Sequence, residues 1–153
     1  MDSAYASCCM ETLKHIEQVR SMVTKLAVMM IERGAQHDAS KLQSPEVEYF
    51  VEHTPKLSKL TYGSPEYAAS LAALKPALDH HYANNRHHTD HFPNGVRGMN
   101  LVDIVEMLCD WKSSAGRHID GNILKSIEIN AKRFDLSDDL VCVLKNTAEL
   151  LEL

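Results

Sequence analysis

Apolar residues recur every three or four positions along most of the chain, the spacing of a helix that is buried on one side. The first such stretch runs from Ala4 to Arg33, and Gly34 is placed to end this helix. His15 falls on its apolar side, in line with Val19. Because an imidazole that faces a protein interior needs a partner there, His15 becomes a candidate functional residue.

Local start and stop signals predict further helices after this one. A short helix is expected at 35–42. The sequences Ser44-Pro45-Glu46 and Ser64-Pro65-Glu66 each combine a capping residue, a proline and an acid, a composition typical of helix starts. The helix that starts at Ser64 should continue to about Asn84, with a break at Pro76.

The C-terminal third of the chain predicts three more helices, at 101–118, at 122–133 and from Ser137 onward, and Asn100 is expected to cap the first. Sustained alternation of apolar and polar residues, which would indicate a strand, does not occur. We therefore predict an all-α fold, a single-domain bundle of six or seven helices that spans 1–153.

Composition narrows the class of protein. The 153 residues are 44% apolar and 24% charged, as in ordinary globular domains. The net charge of −5 provides no basic surface for a phosphate backbone, so nucleic acid is not an expected partner. The four cysteines form no CxxC motif, and neither a leader-like start nor a long apolar run occurs. These features predict a cytoplasmic protein without a membrane segment.

The first candidate site joins His15, the pair His37-Asp38 and Asp110. Imidazole and carboxylate are the usual ligands of zinc, manganese, iron, cobalt and nickel ions. Three separate segments would meet at one ion, and Lys41, one turn beyond Asp38, would hold phosphate oxygens. Each part also has an ordinary structural explanation, since a single histidine on an apolar face is most often a core residue.

A second candidate site is the segment 79–91, which contains five histidines. His87 and His91 are four residues apart, a spacing that allows both to bind one ion on a helix. His80 or His81 would bind a second ion near the first. A solvated polar loop explains the same composition, so the sequence does not assign a role to each histidine.

A third feature is a polar stripe on the helix expected at 101–118. Leu101, Ile104, Val105, Leu108 and Trp111 form its predicted core side. The opposite stripe either lines a wet cleft or is simply the solvated side. It contains five polar residues: Asp103, Glu106, Asp110, Ser114 and Arg117. Asp103 and Glu106 are accordingly alternatives to Asp110 as a ligand.

In its order of motifs, the chain resembles the HD-domain metal-dependent phosphohydrolases. It carries a histidine at position 15, the run HDASK at 37–41, the pair HH at 80–81 and a late aspartate at 110. Between residues 13 and 147 it is also similar to a small, largely uncharacterised family of bacterial and bacteriophage proteins, through the segments ALDHHYANNRHH and DIVEMLCDWKSS. The segment after His81 does not match the long motif of the cyclic-dinucleotide phosphodiesterase branch.

The resemblance implies an HD-domain-like helical fold and a set of site residues. The principal ion would be bound by four residues: His15, His37, Asp38 and Asp110. His80 and His81 match the region that supplies additional ligands in two-metal members. Lys41 would contact phosphate, and Arg117 stands where some relatives carry a phosphate-binding arginine.

Together these observations predict a divalent-metal-dependent phosphohydrolase that acts on a nucleotide or another small phosphate ester. The cofactor would be one or two ions of manganese, iron, cobalt, nickel, zinc or magnesium. Lys41, Arg86, His87 and Arg117 are the predicted substrate contacts, and Lys41, His80 and His81 the predicted catalytic residues. A metal-containing protein that holds a nucleotide without turnover and a small HD-type nuclease are the alternatives. A homodimer through the apolar C-terminal helix is left open.

Overall fold

The computed structural model describes residues 3–57, 65–116 and 121–151, and the described residues contain helices and no strand. Seven α-helices follow one another: α1 (Ser3–Gln36), α2 (Glu46–Leu57), α3 (Pro65–Ala73), α4 (Lys75–Asn84), α5 (Leu101–Ala115), α6 (Ile123–Phe134) and α7 (Asp138–Leu150). Three short 3₁₀ helices lie at Ala39–Leu42, Thr89–His91 and Gly95–Gly98. The prediction of an all-α fold is confirmed.

The chain divides into two compact units, Met1–Ala35 and Gln36–Leu153. The first consists of α1 up to residue 35, and no residue of α1 is buried. The second contains all other helices and its own apolar core. The expectation of one domain over 1–153 stays a prediction.

The core of the second unit lies among α5, α6 and α7. Its buried members are Leu108, Ile123, Ile127, Leu136, Leu144 and Ala148. Trp111 and Phe134 stack at its edge with their ring centroids 6.1 Å apart. Ile123 and Ile127, four residues apart on one side of α6, are buried, whereas Ile129 lies on another side of the helix and is exposed. This core fixes the position of α5, which carries part of the site described below.

Local capping signals place the later helices where the sequence predicted them. The Asn100 side chain accepts hydrogen bonds from two backbone N–H groups at the start of α5, and Asp103 completes a capping box. Asn122 and Ser137 accept equivalent bonds at the starts of α6 and α7. Such caps act over three residues, so they are visible without knowledge of the fold.

Four sequence expectations about the helices are wrong. The first helix passes through Gly34, because this glycine does not adopt the left-handed conformation that ends helices. The expected helix at 35–42 is instead a turn followed by a 3₁₀ helix. Pro45 stands before α2 rather than within its first turn. Leu101 is exposed rather than part of the core, since the buried side of α5 is turned toward Val102 and Asp103.

The described helices include none that is both long enough and apolar enough to cross a lipid bilayer.

Candidate metal centre

The site begins at the turn that joins α1 to the first 3₁₀ helix. Asp38 has φ 57° and ψ 12°, the left-handed conformation, which aspartate tolerates better than most residues. Two consecutive residues of a helix would point about 100° apart. The turn removes this restriction, so His37 and Asp38 contact the same group of side chains.

Imidazole nitrogens surround the Asp38 carboxylate. The Nε2 atoms of His81 and His87 lie 3.1 and 3.6 Å from its Oδ1 atom. The Nε2 atom of His37 lies 3.6 Å from its Oδ2 atom. His88 joins the cluster through its own Nε2 atom, 3.0 Å from that of His81. Four histidines from three segments thus direct one nitrogen each toward a single carboxylate region.

Asp110 extends the cluster on the side of His37. Its Oδ1 atom lies 3.8 Å from His37 Nε2. Two overlapping sets of ligand atoms therefore share Asp38, and within each set all atoms lie within 4.8 Å of one another. One set contains Asp38, His81, His87 and His88, and the other contains His37, Asp38 and Asp110.

The cluster has the properties of a cation site. Asp38 Oδ1 and His87 Nε2 are buried, and neither makes a hydrogen bond, although buried polar atoms are almost always satisfied. Two ligands of one cation, each about 2.1 Å away, lie roughly 3.0–3.4 Å apart at the usual bond angles. The separations of 3.0 Å between His81 and His88 and 3.1 Å between His81 and Asp38 match this spacing. The donor set therefore fits a divalent ion.

Two glutamates contact the opposite edges of these imidazole rings. Glu46, the first residue of α2, is completely buried and lies 2.9 Å from His81 Nδ1 through its Oε2 atom. Glu106, on α5, places Oε1 at 3.0 Å from His37 Nδ1 and 3.1 Å from His87 Nδ1. The set His37, His87 and Glu106 also meets the spacing of a ligand group.

Ionisation of the cluster favours metal binding. Burial alone would raise the pKa of Asp38, but the contacts with His81 and Lys41 outweigh it and hold this pKa far below its usual range. Burial, together with repulsion from His87 and His81, lowers the pKa of His88 to about 3. Near neutral pH, Asp38 is thus an anion and His88 a neutral imidazole, the forms that bind metal ions.

Part of the polar stripe of α5 lines this cluster, whereas Ser114 of the same stripe is exposed. Glu106 and Asp110 both contact His37, and Asp103 is completely buried. Asp103 accepts two hydrogen bonds from Arg86, at 3.1 and 2.9 Å. This bidentate pair connects the loop after α4 to the start of α5 and therefore fixes the loop that carries His87.

The structure gives the predicted catalytic and substrate-binding residues different surroundings. Lys41 forms an ion pair with Asp38 at the edge of the cluster. His81 and His87 are both 1% exposed, which places them among the candidate ligands. His80 is more exposed and donates to Glu46 Oε1 across 2.7 Å. The Arg86 guanidinium, besides binding Asp103, lies over the Phe92 ring, so protein groups already engage it.

Two predicted residues are not among the described members of this cluster, and His91 also lies apart from it. His15 is an exposed residue of α1, in the unit Met1–Ala35, and its role as a ligand stays a prediction. Arg117 lies outside the described residues. His91 donates from Nδ1 to the backbone carbonyl of Tyr82, and because residues 85–88 are not helical, its spacing from His87 does not place the two rings together.

The role of His15 can be tested by His15→Ala. If His15 supplies a ligand, as the resemblance implies, this variant should bind Co²⁺ or Mn²⁺ at least about tenfold more weakly than the unmodified protein, since even residues that only support a ligand change affinity by this factor. Lys14→Ala, a change at the neighbouring exposed position, is the control. Equal affinities of both variants and the unmodified protein, measured by calorimetry, would exclude His15 from the ligand set.

Sequence reasoning missed Glu46 as a site residue, paired His87 with His91 rather than with His81 and His88, and assigned no role to His88. Glu46 was explained by its position in the first turn of a helix, where an acid is favourable for local reasons. His87 and His88 follow α4 in a loop whose path depends on the Arg86–Asp103 pair. The density of histidines was the available signal, and it indicated the region without the individual roles.

The chain belongs to DUF5662, a family of unknown function, whose family model matches residues 4–150. No curated protein and no solved structure is significantly similar to it.

Proposed function

We propose that this member of DUF5662 is a divalent-metal-dependent phosphohydrolase that acts on a nucleotide or another small phosphate ester. The observation that carries the proposal is the convergence of four imidazole Nε2 atoms on the Asp38 carboxylate, beside the amino group of Lys41. The order of the histidine and aspartate motifs along the chain, similar to that of the HD-domain phosphohydrolases, supports the same conclusion.

The ligands of the proposed centre come from both overlapping sets. Asp38 is common to the two, with His81, His87 and His88 on one side and His37 and Asp110 on the other. When bound, a divalent ion supplies a Lewis acid for phosphoryl oxygens and lowers the pKa of water toward neutrality. The presence of two sets that share Asp38 is compatible with one ion or two.

Lys41 is the proposed phosphate contact. Its amino group is held by Asp38, and its side chain is 36% exposed, so it is within reach of both the cluster and solvent. A lysine ammonium acts on phosphate as a compact positive charge with three N–H donors. It would stabilise the negative charge that develops on the phosphoryl oxygens during hydrolysis.

His80 is the proposed proton donor to the leaving oxygen. Unlike the buried His81, its side chain is 40% exposed. Its Nδ1 atom is held by Glu46, which fixes the ring. Its Nε2 atom, 3.4 Å from the Asn84 amide nitrogen, is the one that would exchange the proton. A positioned imidazole contributes typically about 10²–10⁴-fold to a rate through such proton transfer.

The direct test is elemental analysis of the purified protein, followed by incubation with nucleoside mono-, di- and triphosphates in the presence of Mn²⁺, Co²⁺, Ni²⁺ or Mg²⁺. We expect stoichiometric divalent metal and release of inorganic phosphate or a nucleotide product. His53→Ala, which removes a histidine of α2 that belongs to none of the ligand sets, should retain both metal and activity.

Other outcomes assign other functions. Stoichiometric metal with every nucleotide recovered intact, but bound, would indicate a sequestering protein. Cleavage of single-stranded DNA by the metal-loaded protein would indicate a nuclease. Absence of stoichiometric metal after loading would overturn the proposed centre and leave the histidines with a structural role.

A further inference from the structure

We infer that Glu46 and Glu106 are positioning residues of the metal centre, which accept the Nδ1 protons of His81 and His37 and so leave the Nε2 atoms of these two rings for a bound divalent ion. The inference rests on the metal site of the proposed function, but it does not require turnover. It follows from which atoms can donate and which can accept a hydrogen bond in two contacts, Glu46 with His81 and Glu106 with His37.

Glu46 determines the tautomer of His81. An ionised carboxylate has only acceptors, so the 2.9 Å contact of Glu46 Oε2 with His81 Nδ1 requires the proton on that nitrogen. His81 Nε2, on the opposite edge of the ring, faces Asp38 Oδ1 across 3.1 Å, and it is the atom that a divalent ion would bind in place of a proton.

The neighbouring polar groups agree with this assignment. Besides the Ser40 hydroxyl at 3.2 Å, Asn85 Nδ2 lies 3.0 Å from His81 Nδ1 and would favour the other tautomer. Its two N–H groups, however, have acceptors at 2.8 Å in Ser40 Oγ and the His81 carbonyl. The Ser40 hydroxyl donates to Glu46 Oε2 across 3.0 Å. Each donor of this network thus has an acceptor without using His81 Nδ1.

Glu106 has the same role for His37, the ring that precedes the first 3₁₀ helix. Its Oε1 atom accepts from His37 Nδ1 across 3.0 Å. The same oxygen lies 3.1 Å from His87 Nδ1, but that nitrogen makes no hydrogen bond. One carboxylate on α5 thus orients a ligand from a distant segment, and the His87 ring packs beside it with its centroid 4.5 Å from that of His37.

The two glutamates therefore divide the imidazoles between them. Glu46 holds His81, which α4 contributes, and Glu106 holds His37, which comes from the turn after α1. Carboxylates that orient metal-bound histidines in this way typically change metal affinity about 10–100-fold when they are mutated. The assignment predicts separate effects for the two residues, which a general loss of packing would not produce.

The first experiment is long-range ¹H–¹⁵N NMR of the histidine rings in the Zn²⁺-loaded protein at pH 7.5, which shows which nitrogen of each ring carries a proton. We expect His37 and His81 to carry the proton on Nδ1 and to bind the ion through Nε2. A proton on Nε2 in either of these two rings would overturn the inference. This measurement needs no variant.

The second experiment compares Glu46→Gln and Glu106→Gln. Glutamine has nearly the shape of glutamate but presents one acceptor and one donor, so it no longer imposes an Nδ1 proton. We expect Glu46→Gln to change the ring signals of His80 and His81 and leave those of His37, and Glu106→Gln to do the reverse. Each should weaken binding of Co²⁺ by about 10–100-fold.

Glu48→Gln is the matched control, because Glu48 is an exposed glutamate of the same first turn of α2, and it should change neither signal. Equal loss of all histidine signals in both glutamine variants, or unchanged Co²⁺ affinity in folded variants, would overturn the inference. Failure of the proposed function looks different: the tautomers and the Co²⁺ affinities would follow the expected pattern, while every phosphate ester stayed intact.

Discussion

Asp38→Asn should remove stoichiometric divalent metal from the protein and abolish hydrolysis of phosphate esters with it. Asp38 is the one residue that both ligand sets share, and the amide is neutral and has a single acceptor oxygen. We expect the affinity for Mn²⁺ or Co²⁺ to fall by more than about 100-fold, beyond the range typical of residues that only support a ligand. Calorimetric titration of the metal-free protein measures this change.

The control for this prediction is Asp79→Asn. Asp79 is an exposed carboxylate on α4 that is paired with Lys75 rather than with a histidine, so its loss removes the same charge without touching the cluster. A metal-loaded Asp38→Asn protein with the turnover of the unmodified protein would show that the centre has been assigned to the wrong residue.

Ile127→Ala should reduce the free energy of unfolding by about 2–5 kcal/mol, the usual cost of such a truncation in a core. Ile127 is completely buried among α5, α6 and α7, and a cavity at this position loses packing against all three helices. Because α5 carries Glu106 and Asp110, the metal affinity should also decrease. Urea denaturation monitored by circular dichroism gives the stability change.

Ile129→Ala is the matched control for stability, since Ile129 is 67% exposed on the same helix. Substitutions at exposed positions usually change stability by less than about 0.5 kcal/mol. Similar losses for the two alanine variants would contradict the location of the core on the Ile127 side of α6.

The part of the fold that could be predicted from sequence depends on short-range physics. Asn100, Asn122 and Ser137 each cap the helix that follows directly, and such bonds form within one turn. The apolar spacing of α6 likewise indicates which side is buried. These signals need no information about distant residues, so the helices from α5 onward begin where they were expected.

Part of the candidate site could also be predicted from sequence, because some of its residues belong to local motifs. His37, Asp38 and Asp110 belong to recognisable motifs, and the structure brings these three together. The side of α5 that faces the cluster could not be decided, because periodicity treats a polar stripe in a wet cleft and one in bulk solvent alike. The burial of Asp103 by its pair with Arg86 depends on a contact 17 residues away, which no local pattern contains.

Glu46 shows how a local explanation can hide a long-range one. A glutamate at the start of a helix is favourable wherever it occurs, so its position alone does not indicate a second role. Its partners His80 and His81 are 34 and 35 residues away. Only the packing of α2 on α4 shows that this carboxylate is removed from solvent and committed to the site.

The backbone at position 38 limits which side chains can replace the aspartate. Most residues lose about 1–2 kcal/mol in a left-handed conformation, whereas asparagine and glycine adopt it readily. An alanine scan would therefore combine a conformational penalty with the loss of a ligand and would overstate the role of the carboxylate. Asparagine retains the turn, which makes it the substitution that separates coordination chemistry from main-chain geometry at this corner.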